Sequence, residues 1–467
     1  MTSRPKILFV AMHTSVHAAR WVELTTRLGY DCHVFPINAE APHQKLAAGV
    51  TLHQPVFRDA PAPTLRQSPQ SEQFARALRV LRLVVTNPRD AVRRVRKRLN
   101  SRPRPVVTSP TPAVTDDQLK VVPFVVNDLL PGLAGSDERI RLGRANESDE
   151  TALRLHGPEV LAALIEHLKP DLIHSMEFQH AGYLVLAARD RISGKMPAWM
   201  ATNWGSDIYH FGKSPDHALQ IRRVCEAIDL YSCECHRDLA LGREFGYRGP
   251  DLPVLPNSGG IDMAQTMSLR HPAPPSARKL IMVKGYDHFA GRAMVSLAVL
   301  ERFAAQLRNY TIVLFSVGAR PRVRALELAA AGTLDIRVID WATHDEILQQ
   351  FGLARLYLGI SASDAISTSV LEAMAMGAFP IQTDTSCCAE WFIPDTSGFA
   401  VPVDDFEVIC DRFQRALTDD ALVDAAATIN LDIIKSRLAI EVFMPRMGDF
   451  YAQAFCHAHS ANRRATP

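Results

Sequence analysis

Ser361-Ala-Ser-Asp-Ala-Ile-Ser-Thr-Ser-Val-Leu-Glu-Ala-Met-Ala-Met-Gly377 follows an apolar run, Ala354 to Ile360, that is typical of a buried β-strand. Small hydroxylated residues then lead into Leu371 to Met376, which favours a helix ending at Gly377. A strand, a tight loop and a helix start present free backbone N–H groups and the positive end of the helix dipole. This arrangement predicts a binding site for an anion, above all a phosphate.

Two carboxylates, Asp364 and Glu372, frame this loop. The second of them has two interpretations. Ser369-Val-Leu-Glu372 fits the Ser-x-x-Glu capping box, in which the carboxylate only closes the start of a helix. Alternatively, Glu372 faces the ligand that binds at the helix N-terminus. The stretch alone leaves both interpretations open.

The composition is that of a globular protein. The 467 residues suffice for two or three domains, each with its own hydrophobic core. The beginning of the chain has no signal-peptide pattern, because Lys6 to Ala11 is a short apolar run better explained as a first strand. No apolar segment approaches the ~20 residues of a transmembrane helix. We therefore expect a cytoplasmic protein.

The eight cysteines do not predict a metal site. Cys233-Glu-Cys235 and the adjacent pair Cys387-Cys388 lack both zinc-site spacing and C-x-x-C spacing. Reduced thiols are the expectation for a cytoplasmic chain. We find no Asp-x-Asp motif and no His/Asp cluster with metal-ligand spacing, so the sequence predicts no metal and no cofactor.

A Pro- and Arg-rich segment at about 58–146 interrupts the strand and helix alternation and predicts an insertion. Between Phe74 and Pro105 it holds eleven basic residues and one acid, although the chain as a whole has a net charge of only +2. Apolar residues recur there at helical spacing, namely Phe74, Ala77, Leu78, Leu81 and Val85. Such a helix suits an anionic membrane surface or, alternatively, packs on its own domain in solvent. The near absence of aromatic residues argues against nucleic acid.

Outside this segment, two series of strands and helices predict an α/β fold with two Rossmann-like domains that face each other across a cleft. The predicted domains are residues 1–270 and 278–436, joined by a Pro-rich linker at 271–277. Residues 437–467 are predicted to form a C-terminal helix that packs back on the first domain, followed by a disordered tail. Predicted strands of the second series are Lys279 to Val283, Thr311 to Ser316, Asp335 to Ile339, Ala354 to Ile360, Ala378 to Gln382 and Phe399 to Val403.

Several motifs in this order carry a resemblance. The chain resembles the retaining nucleotide-sugar glycosyltransferases of family 4, which have the GT-B fold and a Glu-x7-Glu signature before a helix that ends in Ala-x-Gly. Here the signature is Asp364-x7-Glu372. The other matching segments are Trp204-Gly-Ser-Asp-Ile208, Leu255-Pro-Asn-Ser-Gly-Gly-Ile-Asp262, Gly377-Ala-Phe-Pro-Ile381, and Glu390 with Gly398.

The resemblance implies roles on the donor side. Glu372 would bind the ribose hydroxyls of a nucleotide-diphosphate sugar, and Asp364 would lie beside the transferred sugar. Lys284 and Arg292 would neutralise the diphosphate leaving group without a metal ion. The remaining donor-binding positions are Gly285, Ala365, Ile366, Ser367, Thr368 and Ser369. The family has Glu and Gly where this chain has Asp364 and Ala365, which puts the identity of the sugar in doubt.

On the acceptor side, the resemblance suggests His17, Asn203 and Asn257, with Asp207 as a further catalytic candidate. Simpler interpretations exist, since Asp207 is also suited to capping the next helix and His17 to starting one. The family often has a histidine near Asn203 that touches the sugar, and this chain has none there. A front-face reaction, in which the leaving group departs and the acceptor attacks on one side, needs no such base.

The preferred hypothesis is a hexosyltransferase that retains anomeric configuration and acts on a glycan or a lipid-linked acceptor in cell-surface polysaccharide synthesis. It would work in the cytoplasm or on the inner face of the membrane. The alternatives are a sugar-nucleotide epimerase of the same fold and a non-catalytic nucleotide-sugar-binding protein. The sequence does not specify the donor base, the sugar, the acceptor, the linkage or the oligomeric state.

Overall fold

A computed structural model describes residues 4–56, 119–130, 140–141 and 153–464. The strands in these ranges are β1 (Lys6–Ala11), β2 (Asp31–Pro36), β3 (Val50–Val56), β4 (Lys120–Val125), β5 (Ile140–Arg141), β6 (Leu153–Arg154), β7 (Leu172–Met176), β8 (Ala198–Thr202), β9 (Leu230–Ser232), β10 (Leu280–Lys284), β11 (Thr311–Phe315), β12 (Asp335–Val338), β13 (Ala354–Gly359), β14 (Phe379–Thr383) and β15 (Phe399–Val401).

The α-helices are α1 (Val16–Arg27), α2 (Val126–Leu129), α3 (Pro158–Leu168), α4 (Tyr183–Arg189), α5 (Ser206–Tyr209), α6 (Pro215–Ala227), α7 (His236–Glu244), α8 (Met263–Leu269), α9 (Ala293–Arg302), α10 (Ala319–Ala330), α11 (His344–Leu353), α12 (Thr368–Met376), α13 (Phe406–Thr418), α14 (Asp420–Leu438) and α15 (Ile440–Arg464). Shorter turns are π-helical at Phe178–Gly182 and 3-10 at Phe211–Lys213, Pro275–Ala277, Asp384–Ser386 and Cys388–Glu390. Among the described residues, no helix combines the length and the apolar character needed to cross a membrane.

Two parallel sheets form the centres of two domains. The first has the strand order β4-β3-β2-β1-β7-β8-β9, and the second has the order β12-β11-β10-β13-β14-β15. Their central strands are apolar and buried, as in β1, where Ile7 to Val10 are all 0% exposed. Parallel sheets are covered by helices on both faces, and their strands therefore consist of continuous apolar runs. The predicted α/β fold with two Rossmann-like domains is confirmed.

Three strands of the first sheet were not predicted. Val50–Val56 contains His53 and Pro55, and Leu230–Ser232 is only three residues long, so both give weak strand signals. Lys120–Val125 lies within the segment predicted to be an insertion, yet it pairs with β3 in parallel and forms the sheet edge. The basic residues between 74 and 105, with their amphipathic pattern, lie outside the described residues.

The C-terminal helix α15 lies against the first domain. The Tyr451 hydroxyl accepts a hydrogen bond of 2.9 Å from Trp21 Nε1 on α1, and it lies 3.0 Å from Nδ1 of the buried His174 on β7. Where the chain returns to the first domain, Ile261 N donates to Leu438 O at 2.7 Å and Ile440 N donates to Ile261 O at 2.9 Å. The chain thus crosses between the domains twice, near Ile261 and again near Ile440.

The loops at the carboxyl ends of the two sheets meet between the domains. Strand order reverses between β1 and β7 in the first sheet and between β10 and β13 in the second, which is where ligands bind in such sheets. Gly205, after β8, has a φ of +91°, and a Cβ on it would overlap the backbone nitrogen of Ala365. Next to this contact, Ser363 Oγ donates to Ser206 Oγ at 2.9 Å. The absence of a side chain at Gly205 therefore lets the two domains approach closely.

Candidate active site

Helix α12 begins at the space between the domains. Its N-cap is Ser367, and the Ser367 side chain makes no capping hydrogen bond to the described residues. Ser369 lies inside the helix and therefore cannot be the N-cap of a capping box, and its Oγ accepts a hydrogen bond of 3.0 Å from Lys284 Nζ. The capping-box interpretation of Glu372 is therefore wrong. Gly377, with a φ of +86°, ends the helix as predicted.

Glu372 is buried but ionised. Its Oε1 accepts a hydrogen bond of 2.7 Å from His344 Nε2, and its side chain is 11% exposed. Burial tends to raise the pKa of this carboxyl, but the hydrogen bond from His344 and the charges of Arg20 and Lys284 outweigh burial and lower the pKa. A carboxylate held in this way accepts hydrogen bonds from hydroxyl groups.

The carboxylate of Glu372 lines a cavity of about 540 Å³ between the two domains. The first domain contributes Arg20 from α1, Lys45, and the loop from Ser258 to Asp262. The second domain contributes His344 and the first two turns of α12. Burial and the nearby charge of Arg20 lower the pKa of Lys45. The cavity therefore combines an ionised carboxylate with cationic groups from the facing domain, which suits a polar anionic ligand.

A smaller cavity of about 140 Å³ lies on the other side of the α12 start. It is lined by Lys284, Asp364 and several hydroxyl groups, among them those of Ser206, Ser361, Ser363 and Ser367. Asp364 Oδ1 accepts a hydrogen bond of 2.9 Å from Ala365 N. Burial raises the pKa of Asp364, and the Lys284 ammonium opposes this rise. Lys284 therefore connects the smaller cavity with the helix that carries Glu372.

Two residues that were predicted to bind the donor, Arg292 and Gly285, make hydrogen bonds within their own domain. The Arg292 guanidinium donates through Nη1 to the carbonyls of Phe289 and Gly291, at 3.1 and 2.9 Å, and lines neither cavity. Gly285 N donates to Phe315 O at 2.9 Å, and its carbonyl accepts from Gly318 N at 2.8 Å. These hydrogen bonds indicate that Arg292 and Gly285 stabilise the loop after β10.

Asp207 holds a loop in place. Its two carboxylate oxygens accept hydrogen bonds from Trp204 N at 2.7 Å and Phe178 N at 3.1 Å. Burial raises the pKa of this carboxyl well above its usual range. The interpretation of Asp207 as a helix cap is wrong, because the N-cap of α5 is Gly205; Asp207 instead organises the backbone beside this short helix.

The acceptor-side candidates Asn203 and Asn257 are buried and bonded to each other. Asn203 is 0% exposed; its amide donates to Asp238 Oδ2 at 2.7 Å and accepts from the Tyr231 hydroxyl at 2.6 Å. Asn257 Nδ2 donates to Asn203 O at 3.3 Å, while the buried Oδ1 of Asn257 has no hydrogen-bond partner among the residues that the structure describes. Both residues therefore stabilise the loops behind the cleft.

His17 lies at the beginning of α1, where its ring packs edge-on against Trp204 with the centroids 6.2 Å apart. Burial, together with the charges of Arg20 and Lys284, lowers the pKa of His17 to about 4. The imidazole is therefore neutral at pH 7, because burial and the nearby cations both disfavour its protonated form.

Arg237, on α7 of the first domain, reaches the second domain directly. Its Nη2 donates to Asp364 O and its Nη1 donates to Thr385 O, both at 2.7 Å, and its guanidinium lies 4.0 Å from the ring centroid of Tyr209. The sequence did not point to Arg237, nor to Arg20, Lys45 or His344. These side chains come from segments distant in sequence from α12, and the motif around α12 contains no signal for them.

Comparisons with known proteins agree with this architecture. Residues 283–419 match the family model for glycosyl transferases group 1, and residues 139–233 match the model for glycosyl transferase 4-like domains. No curated protein sequence matches the chain.

Solved structures show the same fold. Sucrose-phosphate synthase from Thermosynechococcus elongatus superposes with a TM-score of 0.63 at 14% identity, over 97% of this chain and 100% of the other. HepE from Anabaena, in complex with UDP and glucose, superposes with a TM-score of 0.57 at 10% identity, over 96% and 100% of the two chains. A glycosyltransferase from Rickettsia africae gives 0.57 at 11% identity, over 97% and 98%. Two glycosyl transferase domain models thus match the chain in order, and its two facing Rossmann-like domains share the GT-B fold of these solved structures.

Proposed function

We propose that the protein transfers a sugar from a nucleotide-diphosphate sugar with retention of anomeric configuration. The observation that carries this proposal is the ionised, buried Glu372 facing a cavity at the N-terminus of α12, with Lys284 bonded to the same helix. In this proposal the donor spans both cavities. Its nucleoside lies in the larger cavity, and its sugar lies in the smaller one.

The nucleoside part is assigned to the larger cavity because of Glu372. The hydrogen bond from His344 fixes the carboxylate, which then accepts hydrogen bonds from two neighbouring ribose hydroxyls. The relative HepE binds UDP and, in another structure, UDP-glucose. UDP-sugars are therefore the first donors to test.

The diphosphate is assigned to the α12 N-terminus, between the cavities. The positive end of the helix dipole and the backbone N–H groups of residues 366–369 favour an anion there. Lys284 lies beside this helix start, and Arg20 and Lys45 face it from the first domain. These cations would stabilise the negative charge that develops on the leaving nucleoside diphosphate, so that no divalent ion is required in the proposal.

The transferred sugar is assigned to the smaller cavity, beside Asp364 and the hydroxyl groups that line it. Neither predicted candidate for a general base suits that function, because Asp207 binds backbone N–H groups and His17, with a pKa of about 4, is a weak base. We therefore infer a front-face reaction, in which the departing diphosphate itself accepts the proton from the attacking hydroxyl.

We further propose a glycan or lipid-linked acceptor, used in cell-surface polysaccharide synthesis on the inner face of the membrane. The support is the run of basic residues between 74 and 105. Replacing Arg93, Arg94, Arg96, Lys97 and Arg98 by Ser should abolish sedimentation with anionic liposomes. Unchanged partitioning would refute the membrane role and leave the donor site untouched.

The main experiment compares two glutamate variants. Glu372→Ala should weaken donor binding by about 2 kcal/mol, since two hydrogen bonds to a charged group are lost, and should raise the KM for the donor accordingly. Glu346→Ala is the matched control, because Glu346 lies in an exposed capping box of α11 and should affect only stability. An unchanged KM in Glu372→Ala would contradict the proposal.

The same assay separates the alternatives. Nucleoside diphosphate release that depends on an added acceptor supports a transferase, and donor conversion without an acceptor indicates an epimerase. Donor binding without turnover indicates a non-catalytic protein. A thermal-shift screen of nucleoside diphosphates should come first, because a ligand that binds the native state raises the melting temperature.

A further inference from the structure

Two cysteines that are distant in sequence meet where the domains touch. Cys235 immediately precedes α7 of the first domain, and Cys387 lies in the loop after β14 of the second domain. The Cys235 and Cys387 sulfurs and a carboxylate oxygen of Glu390 all lie within 4.8 Å of one another. The sequence predicted no metal site because neither cysteine belongs to a zinc-type spacing within its own segment.

The surroundings of the two thiols hold them in place. Cys235 is buried, and Cys387 adopts a φ of +49°, a left-handed conformation that costs a non-glycine residue about 1 kcal/mol or more. Glu390 is oriented by His236, whose backbone N donates to Oε1 at 3.0 Å and whose Nδ1 lies 2.9 Å from Oε2. Two sulfurs and a carboxylate therefore converge from both domains, and the His236 imidazole is bonded to that carboxylate.

We propose that Cys235, Cys387 and Glu390 bind a zinc-type divalent cation, with water as the fourth ligand and His236 orienting Glu390. Thiolate and carboxylate groups in fourfold coordination are among the ligands that zinc takes in proteins. Binding releases one proton from each thiol to solvent and changes no oxidation state. The His236 side chain is 76% exposed, so the ion has a path to the site.

A disulfide between the same two cysteines is the competing outcome. It would use the sulfurs but give no role to the carboxylate and the imidazole beside them. A carboxylate next to two thiols disfavours their ionisation unless a cation is present to offset the negative charge. The approach of the Glu390 carboxylate to both thiols therefore favours a cation over a disulfide.

The proposed ion would affect the candidate active site through Arg237, which is close to the ion in sequence. Arg237 lies two residues after Cys235 on the first domain and donates to the carbonyl of Asp364. An ion that joins Cys235 to Cys387 would stabilise the contact between the domains and hold Arg237 against the Asp364 loop. The site is thus proposed as a link between the domains rather than as part of the reaction.

The test uses the full chain, reduced with a phosphine and freed of metal by chelation. Titration with Zn²⁺ in a calorimeter should show one ion per chain, and Co²⁺ should give a thiolate-to-cobalt charge-transfer band. Cys235→Ser and Cys387→Ser should each lower Zn²⁺ affinity by at least about tenfold and remove the band. Cys388→Ser is the matched control, because the Cys388 thiol faces the carbonyls of Gln382 and Thr383.

Zn²⁺ should also raise the melting temperature of the natural chain and of Cys388→Ser, but not of Cys387→Ser. If a variant fails to fold, the Co²⁺ spectrum of the natural chain still decides, since an absorption band without thiolate character would overturn the proposal. Equal Zn²⁺ binding in Cys387→Ser would also overturn it. So would a Cys235–Cys387 disulfide found by mass spectrometry in the protein purified without reductant.

Discussion

The ionisation of Glu372 depends on a balance between burial and its neighbours. Burial favours the protonated form of this carboxyl, and a protonated carboxyl is a poorer acceptor for two hydroxyl groups. His344 contributes the largest opposing effect through its hydrogen bond, and the charges of Arg20 and Lys284 add to it. Arg20 comes from the first domain, so the approach of the domains also affects this single carboxylate.

Removing His344 should make donor binding sensitive to mild acid. In His344→Ala the pKa of Glu372 rises, so the carboxyl takes up a proton at a higher pH than it does in the natural chain. We expect UDP affinity, measured by calorimetry as the pH is lowered, to begin to fall at a higher pH in the variant than in the natural chain. His457→Ala, on the exposed face of α15, is the control and should behave like the natural chain. Parallel pH profiles for His344→Ala and the control would contradict the assigned role of His344.

At the scale of elements, α15 is attached to the first domain through a buried hydroxyl. The Tyr451 hydroxyl accepts from Trp21 and contacts His174, which in turn bonds Thr202 Oγ1 at 2.6 Å. Tyr451→Phe should destabilise the protein by about 1–3 kcal/mol, because Trp21 and His174 lose a partner in a dry environment.

Urea denaturation followed by tryptophan fluorescence measures this cost. The control is Tyr310→Phe, whose hydroxyl has one long contact of 3.4 Å with Lys279 Nζ. That variant should lose no more than about 1 kcal/mol. Equal losses in the two variants would show that the hydroxyl of Tyr451 is not the source of the effect.

The loop after β8 sets how closely the domains approach. Gly205→Ala introduces both a strained φ and a Cβ that overlaps the backbone of Ala365. Gly29→Ala is a matched control, since Gly29 has a nearly equal φ of +92° but nothing within 4 Å of an added Cβ. Both variants should lose about 1–2 kcal/mol from backbone strain. Only Gly205→Ala should also separate the domains, seen as an increased radius of gyration in small-angle scattering and as lost donor turnover.

At the scale of the whole molecule, buried histidines should make the fold sensitive to acid. Burial, reinforced by His33, lowers the pKa of His53 to about 4, and burial lowers the pKa of His174 to about 3. The unfolded chain takes up these protons near pH 6.5, whereas the folded chain does not. Stability should therefore fall as the pH drops below about 6.5, by up to about 1.4 kcal/mol per pH unit for each histidine.

Melting temperatures between pH 7 and 4.5 test this expectation. His53→Gln should melt with a shallower dependence on pH than the natural chain over that range, because one of these protonations is removed. His457→Gln should leave the dependence unchanged. A slope that is the same in all three proteins would contradict the role of His53.

The central strands of the two sheets and the loop-helix pattern around α12 were predictable from the sequence. Most of the side chains that contact Glu372 were not. Buried parallel strands consist of continuous apolar runs, and a small-residue loop before a helix is a local pattern. By contrast, Arg20 and His344 meet Glu372 only through tertiary packing. The roles of Asp207 and Asn203 depend on which backbone groups lie opposite them, which a motif does not encode. The roles assigned to the individual site residues stay predictions until variants are measured.

The double crossing of the chain near Ile261 and Ile440 limits how the domains can move. Two covalent connections that lie side by side leave one soft degree of freedom, a swing about the strip that contains them. Points on that strip hardly shift during such a swing, and displacement grows with distance from it. Because Ile261 and Ile440 also form part of the wall of the larger cavity, this wall would keep its shape while the rest of the cleft opens and closes.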